Sequence, residues 1–359
     1  MAGAMAESGH SVFVLGWGTY PGNRSDGMVE VITIPQARIR GVAWLINRLR
    51  LRRWLQSEWK QKRLDIVEAP EYEGPLPFGL GPVPVVLRLH QSCVAMSRQA
   101  HKPVSPIMEW CERNTLRRNQ NWIGVSKWIL EYTREVFHLS PRRFTVIYNP
   151  ASVRDAGESL LLPNIPRRFI LFVGALRRAK GTEVLAQAFR ELADTCPDVD
   201  LVFAGPDVIE ERISGRDRVR RLLGSEREYR AHFLGHLEHD KMMQVMSKAE
   251  VLVAPSFLES SSMVALEAMA LGVPVVLTSL GPGPEIIENG VTGLLADPND
   301  PSDVAAQIGQ ILRNPNLAQR LRHRAKETVA KRFNLTNCVL DTLRFYRSVL
   351  EEGMSHHGR

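Results

Sequence analysis

The chain holds 359 residues, enough for two domains of ordinary size with a core in each. Lys and Arg total 46 against 39 Asp and Glu, a formal net charge of +7. That balance suits an anionic partner such as a nucleoside diphosphate, a nucleic acid or an acidic membrane surface, and does not choose among them. Four cysteines (Cys93, Cys111, Cys196, Cys338) lack any C-x-x-C spacing, which argues against a disulfide framework or a zinc site and for a reducing, cytoplasmic setting. No apolar run reaches the roughly 18–20 residues of a membrane span.

Met1–Glu7 is followed at once by a strand-like segment, so no signal peptide is expected. These seven residues make about two helical turns, short for a helix that covers a sheet. β-Branched runs then alternate with amphipathic stretches, the grammar of βαβ units and a parallel sheet. The first half predicts strands at 12–15, 29–34, 64–67, 84–89, 122–125 and 145–148. Within it, residues 38–63 carry nine Lys and Arg interleaved with Trp44, Trp54 and Trp59. Such composition fits either a sheet-packing helix with a solvated basic face or a helix resting on an anionic membrane. No motif for nucleic acid accompanies it. A stretch rich in Pro, Gly, Ser and Asn separates the halves. The expected division is a domain at 1–150, a linker at 151–168 and a second domain at 169–333, with a helix near 334–352 returning to the first.

The second half predicts strands at 169–173, 200–204, 232–234, 251–254 and 273–277. In open parallel sheets, ligands bind beyond the carboxyl ends of the strands, so the residues after each strand matter most. After the strand at 251–254 come Glu259-Ser260-Ser261-Ser262 and an almost wholly apolar helix, Met263–Leu271. Free N–H groups at the start of such a helix form an anion site fit for a diphosphate. Between Ser260 and Pro284 the single charged residue is Glu267. A lone carboxylate on an apolar helix is costly unless hydrogen bonds or charge compensate it. A ribose diol could supply two. At about 1.5 Å per residue, Glu267 lies roughly 8 Å along the helix from its start, so diphosphate at the tip and ribose further in is reasonable geometry. An ordinary salt bridge to a neighbouring Arg, or a place on an exposed edge, is the competing explanation.

The stretch 255–297 resembles the donor-site signature of the retaining glycosyltransferases of family four, which have the two-domain GT-B fold. FILFVGALRRAKG (169–181), VFAGPD (202–207) and FLGH (233–236) match in order. So do DIVE (65–68), VVLRLH (85–90), GVSK (124–127), VIYNP (146–150) and the turn ESGHSV (7–12). The resemblance implies an α/β chain of two facing Rossmann-like domains. It implies that Glu267 holds the ribose hydroxyls, Glu259 the hydroxyls of the donor sugar, and the amides of Ser261, Ser262 and Met263 the sugar and diphosphate. Lys180 would sit on the phosphates and His90 would reach the sugar. Gly174, Gly283 and Glu285 would complete the donor set. The family often has Arg directly after the first loop Gly; here Ala175 stands there, and Arg177 or Arg178 would take over. The strand and glycine loop that open the family's first domain have no counterpart before Met1, so a start placed too late, or a shortened copy, is expected.

The implied activity is transfer of a sugar from a nucleotide-diphosphate sugar, UDP- or GDP-linked, to a glycan, lipid-linked or small-molecule acceptor with retention of anomeric configuration. The departing phosphate oxygen would take the acceptor's proton. No cofactor or metal is implied, and no Asp-x-Asp metal motif is expected in the chain. The competing functions are another enzyme on the same double fold, such as a nucleotide-sugar epimerase, and a catalytically impaired relative serving as a scaffold. The expected location is cytoplasmic, at the membrane face if the basic segment binds lipid.

Overall fold

The computed structural model describes residues 1–151 and 165–357, with side chains to Glu352. Residues 152–164, inside the expected linker, lie outside the described residues. The chain divides into two compact units: Met1–Tyr148 with the segment from Leu335 onward, and Asn149–Asn334.

Unit 1 opens with α1 (Ala2–Glu7), β1 (Val12–Gly18), β2 (Gly22–Asp26), β3 (Val29–Pro35) and α2 (Ala43–Lys60). Then follow β4 (Val67–Pro70), β5 (Val85–Leu89), α3 (Cys93–Gln99), α4 (Pro106–Arg118), β6 (Asn121–Gly124), α5 (Lys127–Phe137) and β7 (Arg143–Val146). Its strands form a three-stranded sheet, β1-β3-β2, and a parallel four-stranded sheet, β4-β5-β6-β7. All five residues of β5 are buried, as a strand covered on both faces of a parallel sheet requires. Helix α5 begins where the Ser126 hydroxyl accepts the Ile129 N–H at 3.1 Å, and buries Ile129, Leu130 and Phe137 against that sheet.

Unit 2 contains β8 (Phe169–Val173), α6 (Thr182–Ala193), β9 (Asp200–Ala204), a short hairpin β10–β11 (Ile209–Glu210, Ile213–Ser214), α7 (Gly215–Leu223), β12 (Ala231–Gly235) and α8 (His239–Ser247). It continues through β13 (Val251–Ala254), α9 (Met263–Leu271), β14 (Val275–Thr278), α10 (Gly283–Ile286), β15 (Leu294–Ala296), α11 (Pro301–Arg313) and α12 (Pro315–Arg332). Six strands form one sheet in the order β12-β9-β8-β13-β14-β15, all parallel. Its core joins Phe172, Phe203 and Val253 to Leu185 and Phe189 of α6 and Ile308 of α11.

The last helix, α13 (Leu335–His357), belongs to unit 1. Tyr346 Oη donates to Glu68 Oε2 at 2.6 Å, and the Arg88 guanidinium on β5 holds both Glu68 oxygens at 2.9 Å and Thr342 Oγ1 at 3.2 Å. Arg143 on β7 meets the Ser348 carbonyl and the Glu352 carboxylate.

Strands β8, β9 and β13 and helix α9 fall where the sequence predicts them. Two strands do not. β4 runs three residues later than expected and β7 two residues earlier. In both cases a charged residue, Glu68 or Arg143, lies in the strand because α13 supplies its partner. The polar strands β2, β10 and β11 and the three-residue β15 carry no alternating apolar signal and were not expected. Among the described residues no helix is long and apolar enough to cross a membrane. All four cysteines are free thiols.

Candidate functional site

In unit 2 the strand order runs from β8 through β9 to β12 on one side and from β13 through β14 to β15 on the other. The order therefore reverses between β8 and β13, and the region beyond those strand ends is the general ligand position of open α/β sheets. The loops leaving β8, β13 and β14 carry Gly174, Arg178 and Lys180, then Glu259 to Glu267, then Gly283 and Glu285. The structure brings these residues to adjacent strand ends on one edge of one sheet.

The first two loops are stitched together. Phe257 and Leu258 N–H groups donate to the Ala179 carbonyl at 2.9 and 3.3 Å. Gly181 (φ 74°) lies so close to the Pro255 carbonyl that a Cβ there would stand 2.0 Å from its oxygen. Only glycine fits both the left-handed conformation and that approach. Lys180 Nζ then reaches Glu259 Oε2 at 3.0 Å. The lysine side chain is 36% exposed and the glutamate 15%. A half-exposed pair of this kind is worth about 0–1 kcal/mol, so an incoming anion can displace the carboxylate at small cost.

Helix α9 starts beside this pair. Ser262 is its N-cap and no side chain caps the end; the Met263 N–H donates to the Ser261 carbonyl at 2.9 Å. Ala265, Leu266, Ala268 and Met269 are buried. Glu267, between them, is half-buried, and burial raises its carboxyl above the ordinary value while His239 pulls it back down. Among the described residues no hydrogen bond or ion pair meets this carboxylate, and the charge that acts on it is that of His239.

The remaining positions differ. Gly283 starts α10 with its Cα against the Thr278 carbonyl, where a Cβ would meet the oxygen at 1.9 Å. Glu285 lies on the first turn of that four-residue helix, and its carbonyl accepts from Arg332 at 3.2 Å. Arg178 is engaged elsewhere. Its guanidinium pairs with Glu183 at 2.9 Å and Glu211 at 2.7 Å. Arg177 is exposed and makes no ion pair among the described residues, and the pairs of Arg178 are themselves exposed, so either arginine can turn to a ligand at small cost. The Asp-x-Asp string Asp198-Val199-Asp200 sits at the start of β9, the opposite end of the strand from this edge. Its carboxylates serve Arg168, Arg230 and His232. Among the described residues no cluster of His, Cys, Asp and Glu is arranged to hold a metal.

In unit 1, His90 follows β5 directly and its ring is exposed. Partial desolvation and the Arg88 guanidinium lower its pKa, which keeps the imidazole neutral near pH 7. Beneath it lie two fully buried carboxylates that the sequence did not single out, Glu71 and Glu112. The basic helix α2 is largely occupied within the unit. Arg48 binds the carbonyls of Gly74 (2.8 Å) and Glu73, Arg52 binds that of Gly79 at 3.0 Å, and Trp54 and Trp59 pack on the core.

Comparison with known proteins agrees with this layout. Residues 1–154 match the model of Glycosyltransferase Family 4, and residues 161–328 match that of Glycosyl transferases group 1. A glycogen synthase of Mycobacterium tuberculosis is 28% identical over 252 residues, 70% of this chain and 58% of its own length, so the chain spans little more than half of that relative. An uncharacterised glycosyltransferase of Methanocaldococcus jannaschii is 26% identical over 343 residues, 94% of this chain and 89% of its own length. The structure of sucrose-phosphate synthase from Thermosynechococcus elongatus superposes with a TM-score of 0.78 at 23% identity, covering 98% of this chain and 92% of that one, a likeness of fold. With both halves matched in order and the GT-B architecture shared, the chain belongs to the family 4 glycosyltransferases, group 1.

Proposed function

We propose that the chain transfers a sugar from a nucleoside-diphosphate sugar, bound at the edge of unit 2, to an acceptor hydroxyl with retention of configuration. The observation that carries this reading is Glu267, a half-buried carboxylate that no hydrogen bond or ion pair meets among the described residues, one turn inside a helix whose N-terminus no side chain caps. A nucleoside diphosphate meets both needs at once. Its phosphates would accept from the α9 N–H groups, where the helix dipole favours negative charge. Its ribose hydroxyls would donate to Glu267.

The chemistry follows from the same residues. Transfer breaks the bond between the anomeric carbon and a phosphate oxygen, so negative charge grows on the diphosphate. Lys180 would leave Glu259 for that charge, freeing Glu259 to accept from sugar hydroxyls. One well-placed donor of this kind is worth roughly 3–4 kcal/mol in the barrier. With Lys180 and the helix N-terminus in this role, Arg177 or Arg178 is the additional cation, and the reading assigns no step to a metal. The acceptor's proton would go to the departing phosphate oxygen. Contact with an anionic membrane has less support, because Arg48, Arg52, Trp54 and Trp59 are engaged inside unit 1.

The test is calorimetric titration with UDP, GDP and ADP. Wild type should bind one of them. Glu267→Gln should bind it about 10–100-fold more weakly, the loss of charge-assisted hydrogen bonds worth roughly 1.5–3 kcal/mol, with unfolding unchanged. Equal affinity in the two proteins would refute the ribose assignment.

A further inference from the structure

Two carboxylates of unit 1 are fully buried, and among the described residues neither makes an ion pair. Glu71 is the first residue after β4, beside the end of β5 in the register that pairs Pro70 with Arg88. Its Oε1 and Oε2 each accept the His90 N–H at 2.9 Å, and Oε1 accepts the Gln91 N–H at 2.6 Å. Glu112, on α4, does the same one step further on. It accepts the N–H groups of Cys93 at 2.7 Å, Val94 at 3.0 Å and, from the loop after β4, Glu73 at 3.0 Å. Between these anchors Gln91 holds φ at 108°, a conformation that a side-chain-bearing residue rarely adopts. Such backbone persists only where its surroundings over-determine it.

Burying a carboxylate is expensive, and burial raises both groups while the backbone donors lower them. An uncharged side chain would be the cheaper way to fill the same space. What the charge supplies is a rigid acceptor for two consecutive N–H groups at the point where β5 stops and the chain turns into α3. The residue whose backbone is gripped there is His90. We propose that Glu71 is a positioning residue: its buried carboxylate fixes the backbone of His90 and Gln91, and thereby the direction of the His90 imidazole, with Glu112 bracing the next turn. This rests on the part in sugar transfer that the family resemblance gives His90.

The test reads His90 directly. In isotope-labelled protein, Glu71→Gln should speed amide exchange at His90 and Gln91 by tenfold or more. It should also move the titration midpoint of the His90 ring toward the ordinary 6.5. Glu71→Asp, which withdraws the carboxylate by one methylene, should lie between and serves as the variant if Glu71→Gln does not fold. Release of UDP from UDP-glucose supplies the second reading. Glu71→Gln should lower kcat by about tenfold to a hundredfold, the scale of a 1 Å misplacement, with KM and UDP affinity unchanged. In a His90→Ala background the same change should add less than twofold. Unchanged exchange and titration, or an undiminished effect on top of His90→Ala, would overturn the proposal. If His90→Ala turned over UDP-glucose like wild type, the role given to His90 would fail instead, while exchange and titration would still decide what Glu71 does.

Discussion

Glu71 and Glu267 are both carboxylates raised by burial, and they differ in what meets them. Glu71 has three N–H contacts and no open side; Glu267 has none and sits on a surface-reaching helix. The first is satisfied by its own chain, the second is not, which is why the ligand is assigned to the second. Glu71 also has a consequence for stability. Its carboxyl is pushed up to about 7 from an ordinary 4.5 by burial. Between those values the native state holds a proton that the unfolded chain has released. Stability from this group is therefore full below about pH 4.5 and falls as pH rises to about 7. Glu112 works in the same direction, whereas His90, lowered in the fold, destabilises as pH falls below its ordinary 6.5. The difference between wild type and Glu71→Gln isolates the one group. Urea midpoints at pH 5 and pH 8 should show wild type losing stability relative to the variant at the higher pH; a constant difference would mean that Glu71 is not raised.

At the scale of elements, the apolar grammar of the sequence located β8, β9, β13 and α9 because these are buried by the sheet they form. It misplaced β4 and β7 because their ends are decided by a helix nearly 200 residues or more away. Glu68 and Arg143 look like loop residues until Tyr346 and Glu352 on α13 are beside them. The donor-side candidates were legible because they follow strands in sequence. Glu71 and Glu112 were not, since nothing in local spacing reveals that a carboxylate will end up fully buried against backbone N–H groups 19 residues away. Nor did local spacing show that the β10–β11 hairpin places Glu211 beside Arg178. Arg88 is the clearest test of how α13 is held. It is 8% exposed and binds both Glu68 and Thr342. Its partner Glu68 is 30% exposed, so removing the guanidinium strands no buried charge and costs roughly 1.5–3 kcal/mol of charge-assisted hydrogen bonding. Arg88→Ala should destabilise unit 1 by about that amount in urea unfolding, while Arg344→Ala, which breaks an exposed pair with Asp341, should cost less than about 1 kcal/mol. Equal small effects would show that the Glu68–Arg88–Thr342 cluster is not what fastens α13.

For the molecule as a whole, the chain's two units each place their candidate residues after parallel strands, and unit 2 brings together, among the described residues, a switch point, a helix start that no side chain caps and a carboxylate that no ion pair meets. The central claim is sugar transfer with retention from a nucleoside-diphosphate donor. Proton NMR of the anomeric signals tests it most directly, with α-linked UDP-glucose and GDP-mannose as donors, in the presence and absence of excess EDTA. The account predicts that one donor signal decays in both conditions, that the nucleoside diphosphate appears, and that the new anomeric signal is α at first formation; Glu267→Gln should slow the decay at least tenfold at sub-saturating donor. A β product at first formation, conversion of the donor into an epimer without release of the diphosphate, or decay that stops in EDTA and returns with manganese would contradict it.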